Sequence, residues 1–424
     1  MTDPARRAAL DLVTAALGRK AGLETALDGA ALAGLAPQDR AYARALAMAT
    51  LRHLGPIDQA LDRCLQRPPP EPVRMILRLG AAQLFHLDTP PYAAVNSSVA
   101  LAETARGAKG FKPLINAVLR RLGREGLPEA GPADLAPPWL FARWRAAYGD
   151  ENARAIAAKI ADEPPTDLTP RDPTETPALA EALEATVLPG GSLRREGRGR
   201  IEEWPGFAEG RWWVQDAAAA IPARLLDAGA GETALDLCAA PGGKALQLAA
   251  AGAKVTALDR SAVRLARLGE GLHRTGLAAE MVVADAEAWP DERTFDAVLL
   301  DAPCTASGTF RRNPDVLWTL RPGDVAKLAQ VQARLLDAAA RRVRPGGRLV
   351  YCVCSLETEE GEAQSRGFLA RHPDFAVLLA APGDAGAPAQ SVTREGWLRI
   401  LPHHLEGGLD GFFVAAFCRR ASAD

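Results

Sequence analysis

Residues 233–259 read TALDLCAAPGGKALQLAAAGAKVTALD. Two short apolar runs, TALDLC and KVTALD, flank a Gly-rich turn, APGGK, and a segment whose apolar residues recur at helical spacing. Strand, turn, helix and strand in that order form the repeating unit of a parallel sheet. The alternation continues downstream: the helical stretch SAVRLARLGEGLHRTG precedes EMVVAD and FDAVLLD, a long helix follows RPGD, and RLVYCVC and GFFVAAFCR are the last apolar runs. Residues 206–424 are therefore expected to form a Rossmann-like α/β domain with helices on both faces of a mostly parallel sheet. Ligands in such folds bind at the carboxyl ends of the strands.

Upstream the period changes. From Ala5 to about Gly126 apolar residues recur three and four apart in RAYARALAMATLRHL, PVRMILRLGAAQLFHL and PLINAVLRRL, with breaks at Gly55-Pro56, RPPPEP and DTPP. Pro72 and Pro113 stand where a first helical turn has no use for an N–H. Residues 1–130 are expected to be an all-helical domain. The Pro/Gly-rich linker EGLPEAGPADLAPPW separates it from residues 137–205, which read as a small α+β module ending in the turn PGGSLRREGRGR. Arg194, Arg195, Arg198 and Arg200 in that turn are candidate phosphate contacts, with a solvated loop as the competing reading.

At 424 residues the chain exceeds one ordinary core, and 48% hydrophobic with 24% charged residues places it among soluble globular proteins. A net charge of −2 excludes a uniformly basic nucleic-acid binder, so RNA or DNA would be held by local patches. One such patch is the excess of 17 Lys+Arg over 13 Asp+Glu in residues 1–135, which an ordinary solvated surface would equally explain. The N-terminus lacks the apolar core of a secretory signal, and no run approaches the roughly 18 apolar residues of a membrane span. Six scattered cysteines without a C-x-x-C pair fit a reducing cytoplasm, and neither a disulfide framework nor a metal site is expected.

The strand ends carry the chemistry. Gly242 and Gly243 let the backbone approach a ligand at a helix N-terminus; Asp259, about twenty residues on, can accept from ribose hydroxyls, and Asp285 can meet an adenine amino group. Alone, the Gly-rich turn would suit a dehydrogenase, and each Asp could be a simple cap; together they point to an adenosine-containing cofactor. The fourth strand delivers DAPCTASGTFRRNPD, residues 301–315, with Asp301 and Cys304. The fifth delivers Cys354, while Cys352, on the same face by alternation but short of the strand end, is assigned to packing. Two thiols and a carboxylate suit methylation at cytosine C5. A thiolate adding to C6 activates C5, a second basic group removes the C5 proton, and Asp301 can hydrogen-bond the ring.

WWVQDAAAA, DLCAAPGGK, DAPCTASGTFRRNPD, VYCVCSLETEEG and DGFFVA, in that order, resemble the RNA cytosine-5 methyltransferases of the NOL1/NOP2/Sun group. YARALAMATLRHLGPIDQAL and PYAAVNSSVALAE resemble the NusB-like RNA-binding domain fused to the bacterial members that act on 16S ribosomal RNA. The resemblance covers nearly the whole chain. It implies a class I S-adenosylmethionine-dependent methyltransferase domain, with the cofactor bound by Cys238, Ala239, Ala240, Pro241, Gly242, Gly243, Lys244, Asp259, Asp285 and Asp301. It further implies Cys354 as nucleophile, Cys304 as the residue that assists release, Lys244 in positioning, and RNA contacts from Arg311, Arg312 and Asp315. A cytoplasmic monomer acting on small-subunit ribosomal RNA, without metal or membrane, is the corresponding expectation. Three departures stand out: Val353 replaces the usual Thr, Cys352 replaces a small residue, and the central module reads LTPR where Arg, Val and Asn are expected.

Other readings make different demands. A DNA cytosine-5 methyltransferase would use Cys304 as nucleophile and leave Cys354 without a role. A ribosome-assembly or antitermination factor that binds RNA without catalysis needs neither cysteine nor Asp301. A nicotinamide dehydrogenase needs a hydride-transfer set that does not accompany the Gly-rich turn.

Overall fold

The computed structural model describes residues 3–18, 22–27, 29–197 and 199–421. The chain forms two units, one running to Glu163 and taking in Phe310–Leu320, the other comprising Pro164–Thr309 and the chain from Arg321 onward.

The first unit is helical. Its helices include Pro4–Leu17, Pro37–Arg52, Leu54–Cys64, Glu71–His86, Pro91–Thr104, Lys112–Glu125 and Pro138–Ala158. Pro72 and Pro113 fall in first turns, as their missing N–H requires. Leu12, Leu46, Ile57, Ile76, Leu79 and Leu119, one face from each of several helices, meet in a core with no solvent exposure. The segment Phe310–Leu320 is part of this unit. Phe310 lies against Trp144 with centroids 6.0 Å apart, Arg52 Nη2 donates to the Arg311 carbonyl at 2.8 Å, and Leu23 N donates to Asp315 Oδ2 at 2.9 Å.

The second unit contains two sheets. Strands β1 (Thr166–Pro170), β2 (Thr186–Val187), β3 (Leu193–Arg195) and β4 (Trp212–Val214) form a small antiparallel sheet in the order β2-β3-β1-β4. Its fourth strand is the WWV of the motif WWVQDAAAA. Arg194 is buried here, paired to Asp167 through Nε at 2.7 Å and Nη2 at 2.8 Å, and it donates further to the Glu406 and Gly408 carbonyls at 2.7 Å. The expected phosphate contact from Arg194 is therefore corrected: its fork geometry is spent on a carboxylate and two carbonyls. Arg195 donates to the Leu183 carbonyl and stacks 4.2 Å from the Trp204 ring centroid, Arg200 is exposed beside Glu203, and Arg198 lies outside the described residues.

The larger sheet comprises β5 (Thr233–Leu237), β6 (Lys254–Asp259), β7 (Glu280–Val283), β8 (Phe295–Asp301), β9 (Val343–Val353), β10 (Phe375–Leu378), β11 (Leu398–Ile400) and β12 (Phe412–Arg419). Its order is β7-β6-β5-β8-β9-β12-β10, with β11 also paired to β12. Strands β5 to β9 are mutually parallel, while β12 runs antiparallel to β9. The order reverses between β5 and β8, and the crevice outside their carboxyl ends is where such sheets bind ligands. Alternation decides the faces: Val350 and Cys352 of β9 pack with Ala297 and Leu299 on one side, and Leu349, Tyr351 and Val353 with Val298 and Leu300 on the other. The three short strands β10, β11 and β4 carry too little periodicity to be read from sequence.

Replacing Arg194 by Leu would leave Asp167 charged and enclosed, at a cost of about 3–5 kcal/mol. Urea unfolding of R194L is expected to show a lowered midpoint at unchanged slope, and an unaltered midpoint would mean the pair contributes nothing.

Candidate active site

The turn after β5 is built for close approach. Cys238 adopts a left-handed backbone at φ 62°, and Gly242, at φ 118°, caps the helix Gly243–Ala250. A Cβ on Gly242 would fall 2.5 Å from Leu268 Cδ1, so only glycine lets the turn lie against the helix Ala262–Thr275. Asp259, at the end of β6, is 2% exposed and accepts from Ala240 N at 3.1 Å and Ser261 N at 2.9 Å. It fastens the turn, and each oxygen retains a lone pair for another donor. Asp285 stands exposed just past β7, with Glu287 N donating to its carboxylate at 2.9 Å.

Asp236, in β5, is 1% exposed, and both of its carboxylate oxygens are without a hydrogen-bond partner. Burial, opposed by Lys244 and reinforced by Asp301 and Asp259, pushes its carboxyl up to about 8. Unsatisfied buried acceptors, an acid at the exposed end of β7 and a helix N-terminus form a set that fits a ligand carrying hydroxyl donors, an ammonium and a positive sulfur. S-adenosylmethionine is such a ligand. Burial also pushes the Cys238 thiol up to about 12, which keeps it neutral.

Deeper in the crevice, Lys244 Nζ lies 2.7 Å from Asp301 Oδ2 and 5.3 Å from the centroid of the Phe412 ring. Burial alone would lower its ammonium, but Asp301, with Cys352 and Asp236 nearby, holds it above its ordinary value. Cys352 is fully buried, its thiol pushed well up by burial and by Asp301, and its Sγ donates to Asp301 Oδ1 at 3.5 Å. The carboxylate of Asp301 is thus gripped from both sides while its side chain stays 31% exposed.

The two remaining sulfurs meet. Parallel pairing of β8 with β9 sets Asp301 opposite Cys352, and the loops that leave these strands bring Cys304 Sγ to 3.5 Å from Cys354 Sγ. Both residues are half-buried. The Cys304 loop is clasped by Gly308 N donating to the Cys354 carbonyl at 3.0 Å and by Gly411 N donating to the Gly308 carbonyl at 2.9 Å. A Cβ on Gly308 would sit 2.0 Å from the Gly411 carbonyl oxygen, which explains the glycine in each of the two loops. The Cys304 thiol is pushed well above its usual range, first by its hydrogen bond to Cys354 and then by burial.

Of the residues singled out from sequence, Cys238–Lys244, Asp259, Asp301, Cys304 and Cys354 gather along one crevice of the second unit, with Asp285 beyond β7. Arg311 and Asp315 do not: at 1% and 6% exposure they are packed in the helical unit, while Arg312 is exposed. The segment that carries Arg311 and Asp315 is held by Leu23 and Arg52 of the helical unit. Two acids were overlooked. Asp236 sits mid-strand where an apolar residue is ordinary, which is itself the signal that could have found it. Glu360 is one of three acids in SLETEEG, and no spacing rule separates it from Glu357, which is also buried, or from Glu359.

Residues 223–418 match the family described as 16S rRNA methyltransferase RsmB/F, and residues 3–124 match the NusB family. A protein of Sodalis glossinidius (strain morsitans) named ribosomal RNA small subunit methyltransferase B is 37% identical over 418 residues, with 92% of each chain covered. The like-named protein of Salmonella arizonae is 36% identical over 412 residues, covering 91% of this chain and 92% of its own. Among solved structures, the crystal structure of PH0851 superposes with a TM-score of 0.80 at 26% identity, covering 98% of this chain and 99% of its own. NSun6 from Pyrococcus horikoshii, solved with SFG, shares the fold over 67% of this chain and 98% of its own, with a TM-score of 0.57 at 20% identity.

Asp236 has an ordinary value of 3.8 and a folded value of about 8, so the folded protein without ligand holds one more proton between those limits. Its contribution to stability is therefore complete below about pH 4 and is lost as pH rises through about 8. Asp236→Asn is expected to flatten that decline, read from melting temperatures of the ligand-free protein across pH 4 to 9; parallel curves for both proteins would refute it.

Proposed function

We propose, from the premise that this chain belongs to the ribosomal RNA small subunit methyltransferase B family, that it methylates cytosine at C5 through a covalent adduct on Cys354. The protein is an S-adenosylmethionine-dependent methyltransferase of small-subunit ribosomal RNA. The observation that carries the finer reading is the approach of the Cys304 and Cys354 sulfurs to 3.5 Å at the ends of neighbouring parallel strands, beside the Lys244–Asp301 pair.

The turn Cys238–Lys244 with Asp236, Asp259 and Asp285 would hold the cofactor, which when bound supplies an electrophilic methyl group on a positively charged sulfur. The Cys354 thiolate donates its electron pair to C6, forming an S–C6 bond, and the C5=C6 π pair shifts to C5. Asp301, oriented by Lys244, accepts a hydrogen bond from the exocyclic N4 amino group and stabilises this addition. C5, now electron-rich, accepts the methyl group. A base must then take the C5 proton, so that the C–H electrons restore C5=C6 and the S–C6 bond breaks back to thiolate.

Cys304 serves as that base. At rest it keeps its proton, with its sulfur 3.5 Å from that of Cys354. Adduct formation converts Cys354 into a neutral thioether, which removes the largest influence holding the proton on Cys304. That proton passes to solvent at the half-exposed mouth, and the thiolate left behind takes the proton from C5. One chain carries every group this scheme uses, so it requires no second subunit, and the substrate assigns the protein to the cytoplasm.

Cys354→Ala is expected to lower methylation of small-subunit ribosomal RNA by more than about a thousandfold, as loss of a nucleophile does. Cys304→Ala should accumulate an RNA-linked protein that survives denaturing electrophoresis. Cys352→Ala should keep kcat within about threefold, as a packing change would. A trapped adduct on Cys304 in the Cys354→Ala protein would instead favour the DNA-type mechanism.

A further inference from the structure

We infer that Glu360 is a positioning residue for the transfer, a buried carboxylate that clamps the two cysteine-bearing loops at their working separation; this rests on the two-thiol reading above. Glu360 is wholly buried. Its Oε1 accepts from Thr305 N at 3.0 Å and from Gln332 Nε2 at 2.9 Å. Its Oε2 accepts from the hydroxyls of Thr305 and Ser355, both at 2.5 Å. Thr305 directly follows Cys304 and Ser355 directly follows Cys354, so one carboxylate ties the two backbones together one residue beyond each sulfur.

The clamp is itself held. Gln332, on the helix Pro322–Arg342, also donates to the Pro303 carbonyl at 2.9 Å, one residue before Cys304. The Tyr351 hydroxyl donates to the Glu360 carbonyl at 2.5 Å, which anchors the acid's own backbone to β9. Burying a carboxylate costs several kcal/mol, and neutral hydroxyl and amide donors offset this less well than a guanidinium would. An apolar side chain would fill the same space at lower cost. The retained charge has geometric use: two oxygens that only accept can gather four donors from three segments at once. The 3.5 Å between the sulfurs is the product of that gathering, and the negative charge also favours the protonated state of Cys304 at rest.

Glu360→Gln keeps the shape but presents an NH2 to donors, so at least one oxygen's partners lose their acceptor. With full-length protein, S-adenosylmethionine and small-subunit ribosomal RNA, kcat is expected to fall about a hundredfold, as it does for misplacement near 1 Å. KM for both ligands should stay within about twofold, since Glu360 touches neither the cofactor turn nor exposed surface. In the Cys304→Ala background the same change should slow formation of the RNA-linked protein to a similar degree. Should Glu360→Gln fail to fold, Ser355→Ala and Gln332→Met each take away one donor to Glu360, the latter also losing the bond to the Pro303 carbonyl, and each should lower kcat severalfold at constant KM. The proposal is overturned if these variants, or Glu360→Gln itself, keep kcat within about twofold while Cys354→Ala is inactive. Active Cys354→Ala protein would instead overturn the two-thiol reading and leave the Glu360 comparison to stand on kcat alone.

Discussion

Parallel pairing of β8 with β9, in the register that sets Asp301 opposite Cys352, is the constraint from which the crevice follows. Side chains alternate along a strand, so a slip of one residue would turn Cys352 away from Asp301 and exchange the two faces of the sheet. In the register adopted, Cys352 can bond Asp301, Lys244 can reach the same carboxylate, and the loops after both strands emerge side by side. The reversal of strand order between β5 and β8 opens the sheet beside this pairing, so that the cofactor turn and the thiols face one cleft.

That cleft concentrates charge at a place with little water. Asp236, Asp259, Asp301 and Lys244 lie within one neighbourhood, and each is handled differently: Asp259 by backbone N–H groups, Asp301 by an ammonium and a thiol, Asp236 by a raised carboxyl value. Such a set is costly for a folded chain without ligand and is suited to one that brings donors and positive charge. The thiols follow the same logic. Burial and mutual contact keep Cys238, Cys304 and Cys352 protonated at rest.

The fold and the outline of the site were open to reading because both depend on local pattern. Apolar runs alternating with helical periods reported the parallel sheet, and glycines, acids and cysteines at run ends reported the crevice. The strand end at Cys354 and the packing position of Cys352 followed from the two-residue period alone. Other features had no such local signal. Arg311 and Asp315 look like surface residues in a polar loop, and only the contacts of Phe310–Leu320 with Leu23, Arg52 and Trp144 bury them. Arg194 reads as one of a basic cluster until its carboxylate, 27 residues earlier in the chain, is seen.

By itself, then, the chain's order of residue types determined the helices and the longer strands of the main sheet, which residues stand at their ends, and the family to which they belong, since these are properties of neighbours and of short periods. Tertiary structure alone decided which charges are buried, how far apart the Cys304 and Cys354 sulfurs lie, and that Glu360 joins their loops. Those facts arise from contacts between segments distant along the chain, and the free energy of a buried carboxylate or thiol is set by what surrounds it in space.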